Sequence, residues 1–166
     1  MRRLVRGLVT TVAVLLAAAF VGLAGVGGWL YWNRVEMRAE KAARDELAPL
    51  AEKQIPTVFG YDYQTVERSL TGAYPLFTPE YRKEFESKAN SDIIPQARDR
   101  QVISQANVVG VGVLDAHRNS ASVMVYMNRT VSDKSSREQP IYDGARLRVE
   151  YKRINGKWLI NYITPI

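Results

Sequence analysis

The sequence of 166 residues contains no cysteine and only one histidine, His117. Without thiols the chain can form no disulfide and offers no thiolate as nucleophile or metal ligand. A single histidine, with no EF-hand or His-Glu spacing among the carboxylates, provides no recognisable metal site. The sequence therefore predicts no catalytic residue, no metal and no cofactor.

The sequence also lacks a concentrated basic surface. The formal net charge is +6, and three of the positive charges are Arg2, Arg3 and Arg6 at the start of the chain. The other basic residues are scattered and form no stripe with interleaved aromatic residues, so binding to nucleic acid is not predicted. No glycine-rich phosphate loop follows a strand, since Gly110 and Gly112 lie inside a strand pattern and indicate a bend or bulge.

Charged residues are absent from 8–32, LVTTVAVLLAAAFVGLAGVGGWLYW, a run of 25 residues. At about 1.5 Å rise per residue such a helix exceeds the roughly 30 Å of a bilayer's hydrocarbon. A cleaved signal peptide is the competing interpretation, but its apolar core is only about 7 to 15 residues long. We therefore predict a retained transmembrane helix, and the preceding arginines predict that the C-terminal part lies outside the cytoplasm.

Four domain segments follow from this reading. Residues 1–7 form a cytoplasmic basic start, 8–32 the transmembrane helix, 33–56 a juxtamembrane helical stalk and 57–166 an extracytoplasmic α+β domain. Within the predicted span, small residues lie four apart in the pairs Ala18 with Gly22 and Ala24 with Gly28. This spacing lets a neighbouring helix approach closely, although small residues are frequent in membrane spans and chance explains such pairs about as well.

Helices are predicted first in the C-terminal part. A kink or restart is expected at Pro49, where the backbone N–H is missing. Asp62 is predicted to cap a helix through Tyr63 to Thr71, with Gly72 as its stop. Thr78 followed by Pro79 predicts the start of the next helix, and NSDIIPQARDRQV a further short one.

After Val102 the apolar period changes to two and β-branched residues predominate, which predicts four strands. Asn155 and Gly156 form the strongest hairpin signal of the chain. Helices followed by antiparallel strands predict an α+β fold, with helices packed on the concave face of a curved sheet.

An aspartate with a tyrosine is the only catalytic arrangement that the residues suggest. A carboxylate that abstracts a proton and a phenol that stabilises an oxyanion would make an isomerase. Asp62 with Tyr63, or Asp115 with Tyr126, are the candidate pairs. A helix cap and a turn are the simpler roles for these aspartates, and a hairpin tip is the simpler place for His117.

The order of segments resembles the Mce-associated membrane proteins of actinobacteria, accessory subunits of mammalian-cell-entry lipid transporters. The resemblance rests on the basic start, the single anchor, the charged helix, YDYQTVERSLTGAYPLFTPEYRKEF, a valine-rich strand pair and DGARLRVEYKRINGKWLINYITPI. It implies a nuclear-transport-factor-2-like (cystatin-like) cone fold outside the cell membrane, with no catalytic residues.

The function implied by the resemblance is stabilisation or assembly of an Mce complex that imports fatty acids or sterols. Its partners would be Mce transporter subunits or related accessory proteins, and contact with lipid is left open. Two alternatives remain. One is an assembly subunit of another envelope machine, such as a type IV secretion channel, which shares the anchor and the cone fold. The other is an exported enzyme of the steroid-isomerase kind.

Overall fold

The computed structural model describes residues 2–135 and 139–166, with the backbone alone for residues 2–19, 33, 36 and 39. The chain divides after residue 39 into two compact units. The first unit is helical and belongs to α1. The second, from Glu40 to Ile166, contains the C-terminal part of α1 and all the other elements.

The helices come first in the chain and the four long strands follow, as the sequence predicts. The helices are α1 (Arg2–Phe59), α2 (Val66–Ala73), α3 (Pro79–Lys88) and α4 (Ile94–Arg100), with a 3-10 turn at Tyr74–Leu76 and a π turn at Ala89–Ile93. The strands are β1 (Tyr61–Asp62), β2 (Ile103–Ala116), β3 (Ser120–Ser132), β4 (Ile141–Ile154) and β5 (Lys157–Pro165).

The five strands form one antiparallel sheet in the order β1-β2-β3-β4-β5. The four predicted strands are confirmed, and β1 adds a short edge that pairs Tyr61 with Ser104. The predicted hairpin between β4 and β5 is also confirmed. Its two central residues have positive φ, 50° at Asn155 and 79° at Gly156, as a type I′ turn requires.

The core of the second unit lies between one face of the sheet and α1. Apolar residues of α1 recur at a spacing of four and are almost fully buried: Ala43, Leu47, Ala51 and Ile55. Opposite them lie the inward rows of β3 and β4, which alternate as predicted: Val123, Val125, Leu147, Val149 and Tyr151. The segment 33–56, predicted as a stalk, thus contributes to this core from Ala43 onward.

The alternation of inward and outward side chains along β2 shifts by one residue at two positions. The pairing with β3 shifts between Val108 and Gly110 and again between Val113 and Asp115. Each shift inserts one residue, so the inward position moves from Val108 to Val111 and later from Val113 to Ala116. The bulge predicted at the glycine-rich stretch is therefore confirmed. Because of it, Val108 and Val111 both face the core, although one has an even and the other an odd number.

Helix α3 begins as predicted. The Thr78 hydroxyl accepts a hydrogen bond from the Tyr81 amide at 3.4 Å, and Pro79 occupies the first helical position. Aromatic rings then join this helix to the sheet, with centroid distances of 5.3 Å for Phe77 and Tyr81 and 5.4 Å for Tyr81 and Tyr162. Edge-to-face and tilted contacts of this kind add to the burial of the rings.

Three predictions about the helices are wrong. Gly72 does not end α2, because the helix continues through it to Ala73. Asp62 does not cap a helix at Tyr63, because it lies in β1 and its Oδ1 accepts from the Gln64 amide at 2.8 Å. This local turn satisfies the carboxylate before α2 begins at Val66, so the aspartate stabilises a turn. The restart at Pro49 is not seen either, since α1 continues through Pro49 and Pro56.

Two glycines should respond in opposite ways to alanine. A Cβ at Gly60 would lie 2.7 Å from the Pro56 carbonyl oxygen, whereas Gly72 in α2 has open space around it. We expect Gly60→Ala to lower the free energy of unfolding by about 1–3 kcal/mol through this overlap. Gly72→Ala should raise it by about 0.5–1 kcal/mol through helix propensity. Urea unfolding measures both, and equal effects would contradict the packing described at Gly60.

The buried tyrosines predict a loss of stability at alkaline pH. Burial raises the pKa of Tyr81 to about 12, with Glu84 and Tyr162 acting in the same direction and the Ile163 backbone in the opposite one. Burial also raises the pKa of Tyr151 well above its ordinary value. Because the unfolded chain loses these protons first, their contribution to stability is complete below about pH 10 and is lost as pH rises towards 12.

Tyr81→Phe should therefore make the free energy of unfolding fall less steeply between about pH 10 and 12. Denaturant titrations at a series of pH values would measure the slope. Tyr151→Phe should flatten the profile as well, and an unchanged slope in both variants would show that these phenols do not govern the alkaline loss.

Candidate functional site

A cavity of about 490 Å³ opens where the end of β3 and the start of β4 meet β1, the π turn and α4. Its apolar wall comes from both layers, the helical one and the sheet: Ile93, Ala97, Val102, Val131 and Ile141. The size lies within the roughly 300–1,000 Å³ of small-molecule sites. The cavity is therefore a candidate binding site, and its polar residues decide what it can accept.

One side of the cavity is fixed by contacts between α4 and the chain after β3. The Arg100 guanidinium donates to the buried Asp133 carboxylate at 2.5 Å, and the Lys134 amide donates to the Arg100 carbonyl at 2.9 Å. The other carboxylate oxygen accepts from the Ser135 amide at 2.9 Å and from its hydroxyl at 2.6 Å. Asp133 is 5% exposed, whereas the Arg100 side chain is 59% exposed, so a buried carboxylate is paired here with a guanidinium at the surface.

Arg129 has a different environment. Its Nη2 lies 3.5 Å from Oδ2 of the exposed Asp143, while its Nε is buried and has no hydrogen-bond partner among the described residues. A buried donor without an acceptor costs about 1–3 kcal/mol. Arg129 lines the cavity and brings a positive charge to it, and this charge is balanced by the 3.5 Å pair with Asp143.

Tyr61 of β1 places a phenol in the same cavity. Burial raises the pKa of Tyr61, and the positive charge of Arg129 opposes this shift. The phenol is consequently protonated at neutral pH and can donate a hydrogen bond. Together Tyr61 and Arg129 can hold an anionic group.

Arg129 was not predicted as a site residue from the sequence, although its position in the alternating pattern of β3 indicated it. Val123, Val125 and Met127 occupy the inward positions of β3, and Arg129 is the next position of the same parity. A charged residue at an inward position is unusual and often marks a binding site. Tyr61 carried no such signal, because β1 has only two residues.

The residues considered for catalysis are not assembled into a site. Tyr126 pairs with Gly110 and Asp115 with Ser122, so they lie several residues apart along the sheet. Tyr63 Oη accepts from its neighbour Gln64 at 3.1 Å, and Asp62 stabilises a turn. His117 Nε2 lies 2.9 Å from Asp115 Oδ2 at the exposed hairpin tip. Within residues 2–135 and 139–166 no group of three or more metal-ligating side chains is found.

The first unit exposes large apolar side chains along α1. Phe20, Val21, Leu23, Trp29, Tyr31 and Trp32 are between 67% and 75% exposed. Exposed apolar surface of this extent usually marks contact with a membrane or another protein. Counting the described residues alone, no helix has an apolar stretch long enough to cross a membrane. Residues 8–19 of the predicted span lie outside the described side chains.

The small residues of the predicted span are partly described. Gly22 and Gly28 have no atom within 4 Å of an added Cβ, beyond the helix itself. Ala24 is exposed, and Ala18 lies outside the described side chains. Their role in helix packing stays a prediction.

Comparison with known proteins gives relatives but no family model, since none matches. The outer membrane protein Rv1973 of Mycobacterium tuberculosis (strain ATCC 25618 / H37Rv) is 25% identical over 152 residues, which are 92% of this chain and 94% of the relative. The chain is thus similar, along nearly its whole length, to a mycobacterial protein named for the cell envelope.

Solved structures support the fold. The periplasmic domain of DotI superposes with a TM-score of 0.62 at 12% identity, covering 74% of this chain and 94% of that domain. CagV, a VirB8 homologue of the type IV secretion system from Helicobacter pylori strain 26695, gives 0.58 at 10% identity, covering 72% and 95%. The predicted α+β fold is confirmed, while the transmembrane helix remains a prediction.

The contact between Arg100 and Asp133 can be tested against an exposed pair on the same helix. Arg100→Ala should lower the free energy of unfolding by about 1–3 kcal/mol, because the buried carboxylate loses its cation. Arg98 contacts Glu67 at 2.9 Å with both side chains more than half exposed, so Arg98→Ala should cost less than about 1 kcal/mol. Chemical unfolding would measure both, and equal costs would contradict the structural role of Asp133.

Proposed function

We propose that this protein is a membrane-anchored accessory subunit of a cell-envelope complex and carries no catalytic activity. The observation that carries the proposal is the exposed apolar surface of α1 from Phe20 to Trp32. A helix with tryptophan and tyrosine at one end of such a surface suits a bilayer and its interface. The basic N-terminus then orients the α+β unit outside the cytoplasm.

We further propose that the complex is an Mce-type lipid importer. Support comes from the order of sequence blocks described above and from the similarity to a mycobacterial outer membrane protein. In this proposal the α+β unit and the helix contact Mce subunits or their accessory proteins. Ala18, Gly22, Ala24 and Gly28 would form the close helix contacts.

A type IV secretion assembly subunit is the second candidate. The specific observation in its favour is the fold shared with the DotI periplasmic domain and with CagV. Because one fold hosts many functions, this likeness favours an envelope machine without selecting which. Mass spectrometry of the complex purified from native membranes would distinguish Mce subunits from secretion-channel subunits.

The helix contacts can be tested by one substitution and a matched control. Gly22→Leu should leave membrane insertion intact, because leucine is more apolar, and should block close approach of a partner helix. Recovery of the partner complex should fall about fivefold to tenfold. Leu23→Phe adds bulk about 100° away around the helix from both Gly22 and Ala24, and it should leave recovery unchanged.

Equal recovery for wild type, Gly22→Leu and Gly28→Leu would contradict a packing role for these residues. If the α+β unit also supported recovery when α1 carried an unrelated apolar span, binding would belong to that unit. The helix would then act as an anchor alone.

A further inference from the structure

We infer that the cavity beside α4 binds an anionic amphiphile, in which a carboxylate is carried on an apolar chain. This inference goes beyond the assembly role, because it assigns a small-molecule ligand to the α+β unit. It rests on the guanidinium of Arg129 with its long ion pair, on the phenol of Tyr61 in the same cavity and on the apolar wall.

The charge comes from Arg129. Its Nη2 lies 3.5 Å from Oδ2 of the exposed Asp143, whereas its Nε is too deeply buried to meet a ligand in the cavity. Arg100, the other guanidinium of the cavity, donates to the buried Asp133 at 2.5 Å, and its side chain is 59% exposed. The ion pair of Arg129 is the longer of the two, so an incoming anion would meet the less neutralised guanidinium at Arg129.

The shape of the donors favours a carboxylate. A guanidinium presents parallel N–H groups that match the two oxygens of a carboxylate. The Tyr61 phenol, protonated because burial raises its pKa, supplies a further donor in the same cavity. These two residues come from β3 and β1, so strand pairing fixes where they stand.

The apolar wall favours a ligand with a hydrocarbon chain. Ile93 and Ala97 on the helical side face the cavity together with Val131 and Ile141 of the sheet. Ile141 is 59% exposed at the start of β4, so part of this wall is open to solvent. Covering it with a chain removes apolar surface from water, which a small inorganic anion would not do.

The rim carries both signs of charge. Lys88 and Asp92 line the cavity near the π turn and largely offset one another. The net preference for an anion then depends on Arg129, which makes this residue the one to change.

Decanoate is a suitable probe, with the full-length protein held in nanodiscs of zwitterionic phosphatidylcholine. Ligand-observed saturation-transfer NMR, after subtraction of empty nanodiscs, would measure binding. We expect decanoate to bind the wild-type protein at least about tenfold more tightly than decanol, which has the same chain without the charge. Arg129→Gln should weaken decanoate binding about tenfold or more.

Arg148→Gln is the matched control, since Arg148 is an exposed arginine of the same sheet that does not line the cavity. It should bind decanoate as the wild type does.

Arg129→Lys keeps the positive charge but loses the parallel N–H donors of the guanidinium, so its affinity for decanoate should lie between those of wild type and Arg129→Gln. If Arg129→Gln fails to fold, Arg129→Lys decides, and wild-type affinity there would overturn the inference. Equal binding of decanoate and decanol would overturn it as well.

Discussion

The packing of α1 on the sheet is the constraint on which the second unit depends. Leu47, Ala51 and Ile55 are completely buried against the inward rows of β3 and β4, and this row supplies the helical side of the main core. Because the same α1 also carries the exposed apolar residues from Phe20 to Trp32, the element that completes the core is continuous in sequence with the proposed anchor. A change in the buried row would therefore act on the fold before it acted on any partner.

Much of this fold could be predicted from the sequence because its strongest patterns are local. The alternation of Leu147, Val149 and Tyr151 and the Asn155–Gly156 turn depend on neighbouring residues alone, and both were found as predicted. The role of Asp62 could not be read in this way. Asp62 is the last residue of a strand because β1 pairs with β2, which joins residues some forty positions apart. The local sequence instead suggested a loop residue that caps a helix.

The candidate site was harder to predict for the same reason. Its wall combines residues from β1, the π turn, α4, β3 and β4, which the sequence separates widely. Only Arg129 left a trace in the sequence, as a charge at an inward position of β3. The contact of Arg100 with Asp133 joins residues 33 positions apart in the sequence, so local patterns do not predict which guanidinium of the cavity is the more closely paired.

The central claim is that a membrane anchor holds the α+β unit outside the cytoplasm. Because the chain has no cysteine, single cysteines report position without background. Gly7→Cys and Lys157→Cys, expressed separately in spheroplasts of a native host, would be treated with a membrane-impermeant maleimide before and after lysis. The account predicts labelling of Lys157→Cys in intact spheroplasts and of Gly7→Cys only after lysis. Labelling of Gly7→Cys before lysis, or of Lys157→Cys only after it, would contradict the account.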